Sequence, residues 1–94
     1  MTRVIWTRQA VEDVEAIKAY VARDSERYAG LLAERLVMAV SRLELFPRSG
    51  RIVPEVGDDS LREVIYGDYR LVYRLQAGSV EVVTIDHAAR LLRV

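Results

Sequence analysis

The sequence predicts an α+β fold, ordered strand, helix, helix, strand, strand, strand, in which a helical hairpin packs on a small, mainly antiparallel sheet. Three features predict it. Two long stretches of the first half repeat apolar residues every three or four positions, the period of an amphipathic helix. Three β-branched and aromatic runs of the second half are parted by glycine-containing turns, the pattern of strands joined by hairpins. No internal repeat, low-complexity tract or linker interrupts the chain, so residues 1–94 are expected to form one domain around one core.

The elements follow in chain order. Arg3 to Thr7 (RVIWT) is short, β-branched and aromatic, as a strand requires, and Thr7 is placed to cap a following helix. From Arg8 to about Arg23, Ala10, Val14, Ile17 and Val21 form one apolar stripe, and Glu12, Asp13 and Glu15 favour the early turns through the helix dipole. Asp24-Ser25-Glu26 breaks that pattern and offers a second N-cap, after which Ala29, Leu32, Leu36, Ala39, Val40 and Leu43 form a new stripe that Pro47 stops. Pro47, Gly50, Pro54, Gly57 and Asp58-Asp59 mark a loop. Arg62 to Tyr66, Tyr69 to Leu75 and Val80 to Asp86 then read as three strands, the first two joined by a tight turn at Gly67-Asp68.

Turn lengths give an expected register. Gly67-Asp68 sets Tyr66 opposite Tyr69 and Ile65 opposite Arg70; the turn at Gln76 to Ser79 sets Leu75 opposite Val80, Val72 opposite Val83 and Arg70 opposite Ile85. Alternation then assigns Val64, Leu71, Tyr73, Leu75, Val80 and Val82 to the face that buries the helices. The opposite face is expected to carry Glu63, Ile65, Arg70, Val72, Arg74, Glu81, Val83, Ile85 and His87, with Arg74 and Glu81 forming a surface pair. Its stripe of Ile65, Val72, Val83 and Ile85 has no remaining chain to cover it, which marks a partner site.

Charge narrows the function classes. Fourteen Lys plus Arg face fourteen Asp plus Glu, divided seven and seven in each half of the chain, and the isoelectric point is about 6.6. A broad phosphate-neutralising surface, which needs a basic domain or stripe, is thereby excluded. Thirteen of the fourteen cations are arginine, whose planar fork suits specific bidentate contacts. The absence of cysteine excludes a disulfide frame, a thiolate zinc site and a cysteine nucleophile. No apolar run approaches the roughly 18 residues of a membrane span, and MTRVIWTRQA lacks a signal-peptide core, so a cytoplasmic protein without a membrane partner is expected.

Five pieces of sequence stand in order from about Val4 to Leu92. The first is a strand ending in an aromatic, and the second a helix of the form A-x-x-D-[LV]-x-x-I-x-x-[YF], met by Ala10, Asp13, Val14, Ile17 and Tyr20. LELFPRSGRIVPEV contains a P-x-x-G-R loop, GDYRLVYRL a G-x-Y-R-[LIV]-x-Y strand, and IDHAARLL a terminal H-[GA]-x-R. Together they resemble the ParE/RelE family of toxins from type II toxin-antitoxin systems. The resemblance implies a cytoplasmic toxin neutralised by an antitoxin, expected to be a ribbon-helix-helix, ParD-like protein, with no cofactor. It implies one of two targets: DNA gyrase, poisoned by binding, or the ribosome, where RelE-like members cut mRNA.

Candidate site residues follow from both sources. In RelE-like members the arginine at the position of Arg70 contacts RNA phosphate, and one at the position of Arg90 joins it; the alternatives are a sheet arginine lying over Ile65 and Ile85 and a solvated terminal charge. His87, the only histidine, is a candidate general acid or base, or else a structural residue at a strand end. A metal site is not expected, because Asp86 is the only carboxylate near His87 and no second imidazole exists. Arg62, Arg70 and Arg90 are the expected target-binding residues, and Ile65, Val72, Arg74, Val83 and Ile85 the expected antitoxin-binding ones. Because the nuclease branch carries extra cations that this chain lacks, the ParE branch is favoured, with mRNA cleavage or a non-toxic antitoxin-binding role as the alternatives.

Overall fold

The computed structural model describes residues 1–92; the last two residues of the expected 1–94 domain lie outside the described residues. The elements are β1 (Arg3–Trp6), α1 (Arg8–Ala22), α2 (Glu26–Ser41) continued by a 3-10 turn (Arg42–Glu44), β2 (Arg51–Ile52), β3 (Leu61–Tyr66), β4 (Tyr69–Gln76) and β5 (Ser79–His87). The α+β class and the order of the six expected elements agree with the sequence reading. The two-residue strand β2 was not expected, being too short to show a pattern of its own.

Both helix starts rest on the caps that the sequence offers. The Thr7 hydroxyl accepts the Ala10 N–H at 3.1 Å and the Ser25 hydroxyl accepts the Tyr28 N–H at 3.1 Å, each satisfying a donor that the first turn leaves free. The five strands form one mixed sheet in the order β1-β5-β4-β3-β2, in which β1 runs parallel to β5 and all other pairs are antiparallel. The helical hairpin carries the chain from β1 to β2 at the far edge of the sheet, and β3, β4 and β5 then return until β5 lies parallel beside β1. Leu32, Leu36 and Val40 of α2 and Ala10 of α1 meet Leu71, Val82 and Ile85 of the sheet in the main core.

The first hairpin has the expected register, from Tyr66 opposite Tyr69 through Leu61 opposite Arg74, with Gly67 at φ +56° supplying the left-handed turn residue. The second holds as expected from Leu75 opposite Val80 to Tyr73 opposite Val82, then shifts: Val72 faces Thr84, Leu71 faces Ile85 and Tyr69 faces His87. Val83 is the extra residue of a bulge, and one inserted residue sends every later side chain to the opposite face. Two expectations are corrected by it. Ile85 is buried against the helices at 2% exposure, and His87 shares the helix-side face with Tyr69 instead of lying beside Arg70.

The stripe on the second face is corrected as well. Val72 is fully buried under Val53 and Leu61, with Val56, Val83 and Leu92 packed around them. The loop after β2 and the C-terminal tail thus form a small second core that the composition of those segments did not announce. The turn is tied by Gly57 N–H to the Val53 carbonyl at 2.9 Å, and Leu61 O accepts from Val53 N at 3.1 Å. Of the expected stripe, Ile65 alone is substantially exposed, at 46%. Arg74 lies opposite Glu81 as expected, but its guanidinium meets the Ser60 hydroxyl at 3.3 Å and Asp58 at 3.8 Å instead of the Glu81 carboxylate.

Candidate functional site

Two of the pieces that carried the family resemblance, the P-x-x-G-R loop and the Y-R-L-V-Y strand, are brought together around β3 and β4. Tyr73 is wholly buried, and its hydroxyl donates to the Pro47 carbonyl at 2.7 Å while accepting the Gly50 N–H at 3.0 Å. Pro47, Gly50 and Tyr73 therefore close the P-x-x-G-R loop onto the sheet. The next residue, Arg51, donates Nε to Glu63 Oε2 at 2.7 Å.

Glu63 has a completely buried side chain, and its second oxygen takes Nε of Arg70 at 2.7 Å, with Arg70 Nη2 also paired to it. The other side of the Arg70 guanidinium is held by Glu55, Nη1 at 2.5 Å from Oε2 and Nη2 at 2.9 Å from Oε1, and Nη1 donates further to the Arg90 carbonyl at 3.1 Å. Arg70 is 4% exposed. Four ionised groups, Arg51, Glu63, Arg70 and Glu55, thus form a chain beneath the tail, and buried side-chain polar atoms among the described residues all have partners. The hydrogen bonds that Arg70 donates to Glu55 and Glu63 raise its already high pKa further.

Glu55 also accepts the Leu92 N–H at 2.9 Å, so one carboxylate holds both the arginine and the tail. The Arg70 hydrogen bond first, and the Leu92 N–H second, lower its pKa to about 2. A carboxylate whose folded pKa lies below its unfolded one adds stability that is complete above the unfolded value and lost as pH falls through the folded one. Acid unfolding is therefore expected to gain a component between about pH 4.5 and pH 2 that Glu55→Gln removes. Urea midpoints measured across that range check it; an identical pH profile for both proteins would dissociate the tail from Glu55.

The other expected residues are placed separately. Arg62 is occupied by Asp59, with Nη2 at 2.7 Å from Oδ1, and by the Gly50 carbonyl at 3.1 Å. His87 is exposed, its Nδ1 accepts from Ala89 N at 3.2 Å, and its ring meets Tyr69 edge-on with centroids 6.1 Å apart. Arg90 has the most open guanidinium of the three target candidates, its side chain 74% exposed and only 3.5 Å from Asp86. His87 and Arg90 border one small cleft; Arg70 does not, so the three expected catalytic residues are not gathered.

Open clefts lie around the fold. One, about 1040 Å³, lies on the second face between Leu61, Val72, Arg74 and Val83 and the tail from Arg90 to Leu92. Another, about 630 Å³, runs between the end of α2 and the edge of β3, where β2 stops pairing after Glu63 and leaves Val64, Ile65 and Tyr66 beside exposed Phe46. A third, about 490 Å³, lies where α1 meets the ends of β4 and β5. The sequence reading missed Glu55, Glu63 and Phe46. Glu63, an acid amid apolar strand residues on Arg70's face, was the one available signal. No group of three or more metal-ligating side chains occurs among the described residues.

Comparison with known proteins accords with this geometry. A family model described as the ParE toxin of the type II toxin-antitoxin system parDE matches residues 4–92. The chain is 37% identical to Toxin RelE2 of Caulobacter vibrioides over 92 residues, which is 97% of this chain and all of that protein. It is 33% identical to Putative toxin Y4kP of Sinorhizobium fredii, with 92% and 88% covered. The fold matches a chain of the chromosomal ParDE system of Pseudomonas aeruginosa with a TM-score of 0.75 at 22% identity, covering 93% of this chain and 96% of that one. It matches a chain of the RelBE2 complex of Mycobacterium tuberculosis with a TM-score of 0.59 at 23% identity, covering 92% and 96%. The two helices on a five-stranded sheet are those of ParE/RelE toxins. This chain belongs to the ParE toxin family and is the toxin of a type II toxin-antitoxin system.

Proposed function

We propose that this toxin acts by binding DNA gyrase in the cytoplasm, that it does not cut message, and that a ParD-like antitoxin neutralises it. The carrying observation is the closure of Arg70 by Glu63 and Glu55. An arginine that stabilises a transferring phosphoryl group must aim free N–H donors at the developing charge, and here the guanidinium is already held by two carboxylates and a carbonyl. His87, the candidate proton carrier, lies on the other face, and the even charge of the chain supplies no substitute cations. The membership of the ParE family supports the same reading.

For the antitoxin, the groove beside β3 is the favoured seat. Its strand edge is open after Glu63, and Ile65 and Phe46 expose 46% and 56% of their surface there. An extended antitoxin segment would add to that edge through main-chain bonds and anchor on both side chains. Of the other residues expected to serve, Arg74 and Val83 line the large cleft and can contribute, whereas Val72 and Ile85 are internal.

Purified gyrase and a message-programmed translation system separate the two modes. Added toxin is expected to inhibit supercoiling in proportion to its concentration and to leave messages whole. Cleavage within codons, together with unaffected supercoiling, would overturn the gyrase reading in favour of ribosome-dependent mRNA cleavage.

A further inference from the structure

Three of the chain's five tyrosines gather where α1 meets the ends of β4 and β5. Tyr20 is 68% exposed and Tyr28 52% exposed, while Tyr69 is half-buried with the exposed His87 ring set against its edge. Burial foremost, then Asp68, Tyr28 and Tyr20, push the Tyr69 hydroxyl pKa up, consistent with one crowded cluster. Arg23 stands over the Tyr20 ring at 5.7 Å, and Arg90 borders the cleft from the tail. Nothing in the core requires Tyr20 or Arg90 to be there, since both side chains lie mostly in solvent.

We propose that this cleft, walled by Tyr20, Tyr69, His87 and Arg90 and floored by Ile17 and Ile85, is the surface through which the toxin grips its protein target. It takes an apolar anchor side chain with a carboxylate beside it. The inference rests on the reading that this toxin acts by binding a protein. Exposed tyrosine and arginine around an apolar hollow are the composition of interface hot spots, where a few anchors carry most of the affinity. A volume of about 490 Å³, shallow and open, accommodates one or two side chains.

The rim charges select the partner. Asp13 is saturated by the Thr84 hydroxyl at 2.6 Å and the Ile85 N–H at 2.9 Å, and Asp86 is engaged by the His87 N–H at 2.8 Å. Arg90, 3.5 Å from Asp86, is the loosely held donor, and its fork suits an incoming carboxylate. A nucleic-acid strand would also stack on the tyrosines, but Asp13, Asp68 and Asp86 stand against Arg23 and Arg90, so the site lacks the positive surplus that a polyanion requires. The cleft lies on the α1 side of the sheet, across β4 from the groove beside β3.

The test uses Tyr20→Ala, Arg90→Ala and their combination, with melting temperatures first compared to the wild type. The double variant is expected to keep its fold, to require at least tenfold more protein to inhibit purified gyrase, and to lose growth arrest at expression levels where the wild type stops division. Undiminished gyrase inhibition by the double variant overturns the proposal. If the wild type spares gyrase yet arrests growth, the gyrase reading fails by itself; loss of arrest in the double variant then sustains this surface, and retained arrest rejects it. Wild-type binding of a labelled 20-nucleotide single strand that the double variant loses would make the site a nucleic-acid platform and overturn the protein partner. A wild type that arrests nothing overturns both readings.

Discussion

Glu63→Ala is expected to lower the stability of the fold by roughly 3 to 5 kcal/mol, the usual loss when one partner of a buried ion pair is removed. The Glu63 side chain has no solvent exposure and lies between Arg70 and Arg51. Without it, Arg70 keeps Glu55 and one carbonyl but loses the acceptor for Nε in a site that water does not reach, and Arg51 is left to solvent. Arg70→Ala is expected to act similarly by orphaning one oxygen of Glu63. Small domains hold only about 5 to 15 kcal/mol in total, so either single variant removes a large share of it. Urea unfolding at neutral pH reads the loss directly. If Arg70 were instead a free catalytic group, Arg70→Ala would unfold at the wild-type midpoint.

A second large effect is expected at Gly50. A Cβ built on this residue would stand 2.6 Å from the Glu63 carbonyl oxygen and 2.7 Å from the Tyr73 hydroxyl, closer than any real contact of that kind. The first neighbour is sheet backbone and the second is a ring packed at 0% exposure, so neither yields without cost. Gly50→Ala must push the loop outward, breaking the hydroxyl's bonds to Pro47 and Gly50 as well as crowding β3. Overpacking and a stranded buried hydroxyl together are worth roughly 2 to 4 kcal/mol, which for a domain of this size lowers the melting temperature by about 10 °C or more. Tyr73→Phe is expected to remove part of that penalty from the pair, because the two changes act on one contact and cannot add independently. An unchanged melting temperature for Gly50→Ala would show that this loop does not lock onto the sheet as described.

The fold was legible wherever local chemistry decides it. Thr7 and Ser25 announce the helix starts, the stripes from Ala10 and Ala29 announce the buried faces, and Gly67-Asp68 sets the first hairpin register to the residue. The second hairpin was legible only as far as Tyr73 and Val82. Beyond that point the run Val82-Val83-Thr84 is uniformly β-branched, with no glycine or change of polarity to mark which residue bulges out. The error carried Ile85 and His87 to the wrong face, and with them the expected stripe and the expected nearness of His87 to Arg70. Arg70 stood out in the sequence as a candidate site residue, but the partners that hold it did not. Glu55 comes from a patternless loop 15 residues earlier, and the tail carbonyl from 20 residues later. Long-range pairing of this kind leaves no periodic trace in a single sequence, and neither does the covering of Val72 by Val53 and Leu92.

Growth arrest by the double variant Glu63→Leu with Arg70→Met bears most directly on the claim that this toxin binds its target and that its strand arginine holds the fold. Replacing both members of a buried ion pair with apolar side chains of similar size is often neutral or stabilising, so this protein is expected to be more stable than either single variant. With folding established by its urea midpoint, it should still arrest growth as the wild type does. A well-folded double variant that no longer arrests growth would show that Arg70 acts on the target itself.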